Sequence, residues 1–273
     1  RYNFNYNVVW ERAMFDIRSG YLGQAILDGP RMKADWHLTI DGGVQGFYAH
    51  IFRGALRYFY KDIGGLKRPG VWAKMKICAF DENNNNKYGQ NNGNWDFTGI
   101  LPDIKIWRFA QGRERGSDEI FSTAVHEIAH SSHIELLRFG DLQSHDVSDL
   151  IFESWAVAVQ WYITSMEYRE RGISNYADPW WYSGIADYRL NYAFQKDSQG
   201  NYTCLFIDLV DDHNQAGRFL NAFTDNVTGY TLAEIEAKVL RQAYGLHSLR
   251  DKLLAHKPAG VQSAQIIELI DQF

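Results

Sequence analysis

Two histidines and a glutamate within one short stretch carry the clearest chemistry in this sequence. His126 and His130 flank Glu127 in the stretch HEIAH. Residues four apart on an α-helix lie on the same face, so both imidazoles can converge on one metal ion at about 2.1 Å each. Glu127, beside the first histidine, can reach a water molecule at the metal rather than the metal itself. Two ligands and one general base in this order are typical of zinc sites that activate water.

Helix geometry excludes two residues near HEIAH as the third metal ligand. His133 lies two turns beyond His126, about 10 Å along the helix axis, so these side chains cannot share one ion. Glu135 is turned about 180° from His126 and lies on the opposite face. Because a catalytic zinc needs three protein ligands and one open position, the third ligand must come from another element.

Glu153 is the residue that we predict to complete the ligand set. It is the only charged residue from position 150 to 166, in a mostly apolar segment with helical character. A buried carboxylate costs several kcal/mol unless a cation or hydrogen bonds compensate it, and a zinc ion is such a cation. The alternatives are an ion pair of Glu153 with Arg169 or Lys74, or a third ligand from His145 or Asp146.

Length and composition favour one two-lobed globular unit over two independent domains. The chain has 273 residues, of which 45% are hydrophobic and 22% are charged, and its net charge is −5. Without a basic stripe, nucleic acid is not expected as a partner, and no stretch approaches the ~18 apolar residues of a membrane span. Cys78 and Cys204 lie in apolar contexts and are expected to be buried free thiols, with one disulfide as the alternative.

The spacing of apolar residues predicts the elements of the first half of the chain. A helix is expected over residues 44–63 and ends at a Gly-Gly pair. Strands are expected over 75–80 and 100–109, separated by an asparagine-rich loop over 83–94. The HEIAH helix begins at Ser117 and is predicted to end near Gly140.

Helices dominate the prediction for the second half. Ser148 is a good N-cap for a helix that runs to about Arg171, and the chain is then expected to be irregular from 178 to 213. Two further helices are expected after Thr231 and Ser248, each of which begins a capping-box pattern. Strands early and helices late indicate the α+β class.

With HEIAH followed by Glu153, the chain resembles the gluzincin zinc metallopeptidases, and more narrowly the thermolysin-type family. Four weaker matches lie in the family's order. Asn91-Asn92-Gly93-Asn94-Trp95 is similar to its substrate-binding edge segment, and residues 178–183 to its D-P-x-x-Y-S stretch. Asp208 with His213 is similar to its transition-state aspartate and histidine, and Phe219 to Gly245 to its C-terminal helices. The matches span residues 44–245.

This resemblance implies a two-lobed zincin-like fold. Residues 1–139 would form a lobe with a small mixed sheet and the HEIAH helix, and residues 140–273 a helical lobe that supplies Glu153, together making one catalytic unit. The resemblance also implies one zinc ion per chain, a peptide or protein substrate, and an extracellular, cell-surface or periplasmic setting. The family's double-calcium cluster has no clear counterpart, so calcium is not predicted. Substrate backbone is expected at Asn92, Gly93 and Trp95, and the oxyanion donor at His213, with Tyr182 and His145 as alternatives.

One departure from the family concerns the residue that orients a zinc-bound histidine. The family has an aspartate four residues after the glutamate ligand, where this chain has Val157. Losing such a partner typically costs 10–100-fold in affinity or activity. Asp149 or Asp146 is the expected substitute. The sequence therefore predicts zinc-dependent peptide hydrolysis, against two alternatives: an inactive protein of this fold that binds peptide or glycan, or a zinc hydrolase of a non-peptide amide or ester.

Overall fold

The computed structural model describes residues 6–11, 17–19, 43–70, 75–84, 87–91, 104–137, 147–173, 201–212, 214 and 224–273. This part of the chain is α+β, with a mixed sheet in the N-terminal half and helices elsewhere, which confirms the predicted class. The chain forms two compact units, Arg1–Leu56 with Val71–Ala124 and Arg57–Gly70 with Val125–Phe273.

The sheet belongs to the first unit and has a parallel centre. Its strands are β1 (Tyr6–Glu11), β2 (Ile17–Ser19), β3 (Met75–Asn84), β4 (Gly89–Asn91), β5 (Ile104–Ala110) and β6 (Arg113–Glu114). The order is β2-β1-β3-β5-β4, with β6 also paired to β5. Strands β1, β3 and β5 run parallel to one another, and the three short strands are antiparallel to their neighbours. Near-continuous apolar runs suit parallel strands buried on both faces, and Ile77, Ala79, Ile104 and Ile106 are fully buried.

The asparagine-rich segment predicted as a loop is partly strand, so that prediction was wrong. Asn83 and Asn84 extend β3 and pair with Phe109 and Ala110 after a register shift, and residues 89–91 form β4. These residues are exposed or half-buried. The strand at this position is formed by backbone hydrogen bonds to β5 and does not require apolar side chains. A search for hydrophobic patterns therefore cannot detect it.

The first helix, α1 (Gly43–Tyr60), confirms the helix predicted from residue 44 and ends three residues earlier than expected. Phe47, Ile51, Ala55 and Tyr58 recur at helical spacing and are buried. The turn after α1 needs the left-handed conformation, which Gly64 supplies with φ +66° while its N–H donates to the Asp62 carboxylate at 2.9 Å.

Two long helices follow, and both are buried on most sides. Helix α2 (Ser117–Leu136) begins where the Glu119 carboxylate accepts a hydrogen bond from Gly116 N–H at 2.7 Å, which satisfies a free amide of the first turn. Helix α3 (Asp149–Glu170) is capped by Ser148, whose hydroxyl accepts from Ile151 N–H at 3.4 Å, as predicted. Gly172, with φ +94°, follows the end of α3.

The remaining helices are short: α4 (Leu205–Asp208), α5 (Leu232–Lys238), α6 (Leu246–Ala255) and α7 (Ser263–Ile270), with a 3-10 turn at Leu240–Gln242. Thr231 caps α5 as predicted, since its hydroxyl accepts from Glu234 N–H at 3.2 Å. Ser248 is not the N-cap: Gly245 is the N-cap of α6, which begins at Leu246, and the Ser248 hydroxyl accepts from Gly245 N–H as the third-residue partner of a capping box. Helices α4 and α7 were not predicted. None of the helices in the described ranges is long and apolar enough to cross a membrane.

Candidate metal centre

Helices α2 and α3 bring the three predicted ligands into one small triangle. The Nε2 atoms of His126 and His130 are 3.1 Å apart, and each lies 3.2 Å from Oε2 of Glu153. Both histidines are buried, whereas the Glu153 side chain keeps 24% of its surface exposed. Within the described residues, these three form the one His, Cys and carboxylate group that could hold a metal ion.

The charges of the centre favour a cation. Burial opposes ionisation of Glu153, but the imidazoles of His130 and His126 outweigh it and hold the carboxyl pKa well below its usual range. Burial likewise opposes the charged form of His130, but the carboxylates of Glu153 and Glu127 raise its pKa overall. The site thus combines an ionised carboxylate with a histidine proton that a metal ion would displace.

Gln160 lies at the ring nitrogen of His126 where Asp149 or Asp146 was expected. Its side-chain carbonyl Oε1 lies 3.0 Å from His126 Nδ1, and Gln160 is 1% exposed. When Nδ1–H donates to this oxygen, the lone pair of Nε2 faces the triangle, as a metal ligand requires. Asp149 is exposed in the first turn of α3, and Asp146 lies outside the described residues. Val157 is buried and apolar.

Aromatic stacking fixes the other histidine. The His130 ring stacks on Phe152 at 4.3 Å with an interplanar angle of 17°, and His133 stacks on the same phenylalanine at 5.2 Å. His133 is fully buried, and burial lowers its pKa to about 3, so it is neutral. It stands apart from the ligand triangle, as the helical spacing predicted. Glu135 also lies away from the ligand triangle, where it accepts a hydrogen bond from Gly70 N–H.

Glu127 lies next to the ligands, as its place in HEIAH predicts. It is 4% exposed, and its carboxylate contributes to the raised pKa of His130. The alternative partner Arg169 lies in the last turn of α3, and Glu153 contacts the histidines instead. Several predicted site residues lie outside the described residues: Lys74, Asn92, Gly93, Trp95, His145, Tyr182 and His213.

Sequence reasoning missed two residues of the centre, Gln160 and Tyr202. The Tyr202 ring lies 6.0 Å from the His126 ring. A signal for Gln160 was present, because it follows Glu153 by two helical turns and therefore shares its face of α3. Tyr202 carries no such signal, since it comes from a segment distant in sequence.

Asp208, predicted to support His213, is part of a buried acidic group with Asp211 and Asp225. It is 1% exposed and accepts a hydrogen bond from the Cys204 thiol at 2.9 Å. Burial and the charge of Asp225 raise the Asp208 pKa well above its ordinary value. Burial also raises the pKa of Asp225 to about 8, although Val227 N–H donates to its carboxylate. Cys204, like Cys78, is a buried free thiol, as predicted.

Comparison with known proteins adds no relative: no family model, curated protein or solved structure matches the chain.

Replacing Gln160 should weaken metal binding through His126. We expect Gln160→Leu to lower zinc affinity about 10–100-fold, because Nδ1–H loses its acceptor and the imidazole loses its orientation. Gln160→Glu keeps an acceptor at the same place and should retain tight binding. Zinc titration against a competing chelator measures both variants. A Gln160→Leu protein that binds zinc as tightly as the wild type would show that this hydrogen bond does not position the ligand.

Removing the Asp225 charge should stabilise the protein in alkaline solution only. Burial raises the pKa of Asp225 to about 8 in the folded chain, whereas the ordinary pKa of an aspartate is 3.8. The unfolded state therefore binds fewer protons between these values, and stability falls as the pH rises through this window. Asp225→Asn should raise stability by roughly 4–6 kcal/mol at pH 9, since one pKa unit is about 1.4 kcal/mol, and have little effect at pH 4. Thermal unfolding at both pH values, with the exposed Asp212→Asn as control, tests this; equal shifts at both would contradict it.

Proposed function

We propose that this chain is a zinc-dependent peptidase of gluzincin type with a two-lobed zincin-like fold. The observation that carries the proposal is the triangle of His126 Nε2, His130 Nε2 and Glu153 Oε2, with edges of 3.1–3.2 Å. A tetrahedral ion with bonds of about 2.1 Å needs ligand atoms about 3.4 Å apart, so a small opening of the triangle suffices. Two neutral imidazoles and one carboxylate, with a fourth position left open, are a donor set that zinc uses in hydrolases.

The protein side chains have distinct roles in this proposal. A bound zinc ion supplies Lewis acidity, which polarises the scissile carbonyl and makes water easier to deprotonate. His126, His130 and Glu153 hold the ion, and Gln160 keeps His126 in the required tautomer. Glu127 takes a proton from the attacking water and delivers it to the nitrogen of the leaving amine.

The family resemblance contributes the remaining parts of the proposal. Asn92, Gly93 and Trp95 would bind the extended substrate backbone, and His213, Tyr182 or His145 would stabilise the oxyanion. One zinc per chain and an extracellular, cell-surface or periplasmic setting belong to the same proposal. The alternative of an inactive binding protein depended mainly on Val157, where the family has its orienting aspartate. Because Gln160 makes the hydrogen bond that Val157 cannot, that alternative loses its main support.

Removing Glu153 tests the metal centre. The wild-type protein should bind one zinc ion per chain and gain thermal stability on binding, because a ligand of the folded state is linked to folding. We expect Glu153→Ala to lose this zinc and the associated shift in melting temperature, while Glu268→Ala, an exposed glutamate in α7, behaves as the wild type. Elemental analysis and thermal unfolding with and without zinc measure both effects. Full zinc occupancy in Glu153→Ala would remove this residue from the ligand set.

Glu127 is tested separately, because it contacts the water and not the ion. Glu127→Gln should keep zinc at the wild-type stoichiometry and lower the hydrolysis of a peptide library by about 10²–10⁴-fold. Undiminished hydrolysis would overturn the general-base role, and loss of zinc would place Glu127 among the ligands. If the zinc-loaded wild type cuts no peptide in a broad library, the binding-protein alternative prevails over the peptidase.

A further inference from the structure

A short segment outside the two metal-bearing helices, residues 201–203, lies against the metal centre. Its middle residue, Tyr202, is half-buried, and its ring centroid lies 6.0 Å from that of His126 with an interplanar angle of 31°. His126 is itself a predicted metal ligand, so only the His126 ring lies between the Tyr202 ring and the position predicted for the metal ion. What holds the segment there determines whether Tyr202 has a defined position.

The hydroxyl of Ser154, next to Glu153 on α3, fixes the backbone on both sides of Tyr202. Its O–H can donate to the Asn201 carbonyl at 3.3 Å, and its oxygen accepts from Thr203 N–H at 3.1 Å. The Thr203 hydroxyl lies 2.7 Å from the same oxygen and can donate to it, while accepting from Leu205 N–H at 3.2 Å. Ser154 and Thr203 are fully buried. We call this network the Ser154 clamp. The Ser154 hydroxyl donates one hydrogen bond and accepts two, so every hydroxyl proton in the network has a partner.

The following residues are fixed to the same helix by packing. Helix α4 begins at Leu205, and its Phe206 contacts Trp155 edge to face, with ring centroids 5.4 Å apart at 86°. Both rings are buried. Three consecutive residues of α3 thus bind the metal, clamp the backbone around Tyr202 and anchor the next helix. The backbone that carries Tyr202 is thus fixed on both sides, and its ring lies beside His126, so the residue is positioned before substrate binds, as a catalytic group must be.

We propose that Tyr202 is a catalytic residue whose phenol O–H donates a hydrogen bond to the substrate carbonyl oxygen as negative charge develops on it. This inference rests on the proposed peptidase function. A phenol donates without carrying a charge, so it can stabilise the oxyanion without repelling a cation in the centre. No bond to Tyr202 forms or breaks, and its proton stays on the phenol. The proposal adds a fourth candidate for this role to His213, Tyr182 and His145.

The test uses Tyr202→Phe, which removes only the hydroxyl. Removing one oxyanion donor typically costs about 10²–10³-fold in rate, so we expect a loss of this size in kcat with little change in KM. A phosphinic peptide, whose tetrahedral phosphorus group mimics the tetrahedral geometry of the reacting carbonyl, should also bind at least tenfold more weakly by calorimetry. Zinc affinity and melting temperature should stay at their wild-type values. Tyr162→Phe, which removes a phenol hydroxyl that lies beside Gly64, is the matched control.

Calorimetry separates this inference from the proposed function. If the wild type cuts no peptide but binds the phosphinic peptide, and Tyr202→Phe weakens that binding, the Tyr202 contact stands and hydrolysis fails. The assignment would be overturned if Tyr202→Phe kept the wild-type kcat and the wild-type affinity for the phosphinic peptide, or if Tyr202→Phe lost zinc. It would also be overturned if the wild-type protein did not bind the phosphinic peptide. Ser154→Ala should lower kcat while zinc is retained, and combining it with Tyr202→Phe should add little further loss. Fully additive losses would overturn the link through the clamp.

Discussion

The ionised carboxylate of Glu153 is the constraint on which the candidate metal centre depends. Helix α3 is buried along most of its length, so a charge on it is costly unless other groups compensate the lost hydration. The two imidazoles of α2 supply that compensation at 3.2 Å, and they keep the Glu153 pKa low despite its burial. This balance requires the distance between the Nε2 and Oε2 atoms to stay near 3.2 Å. Helices α2 and α3 must therefore pack against each other in one register.

Helix α3 organises the centre because other elements pack against most of its length. Phe152 stacks on His130, Glu153 contacts both histidines, Ser154 holds residues 201–203, and Trp155 packs on Phe206. Successive helical residues are about 100° apart, so four consecutive side chains point in four directions. On a surface helix two of these directions would face water. Here all four meet protein, which ties the position of the ligands to the packing around them.

The sequence predicts residues whose positions depend on neighbours within one helix. It does not predict residues that are placed by contacts between segments far apart in the chain. His126, His130 and Glu127 follow from spacing within one helix, and Glu153 from the isolation of a charge in an apolar segment. Gln160 was open to the same helical reasoning from Glu153. Tyr202 was not, because its position depends on hydrogen bonds between Ser154 and Thr203, which are distant in sequence. The strand residues Asn83 and Asn84 escaped for a related reason, since backbone pairing with β5 places them and no side-chain pattern records it.

The amide of Gln160 is also consistent with the charge balance of this centre. Glu153 and Glu127 already place two carboxylates beside two imidazoles, and Glu127 is 4% exposed. One divalent ion balances those two negative charges, whereas an aspartate behind His126 would add a third charge at a position that is 1% exposed. A glutamine carbonyl accepts the Nδ1 proton without that charge, because hydrogen-bond geometry and not ionisation selects the tautomer. With an apolar valine at position 157 and an amide two turns after Glu153, the candidate centre therefore keeps its orienting hydrogen bond and would be close to neutral with a divalent ion.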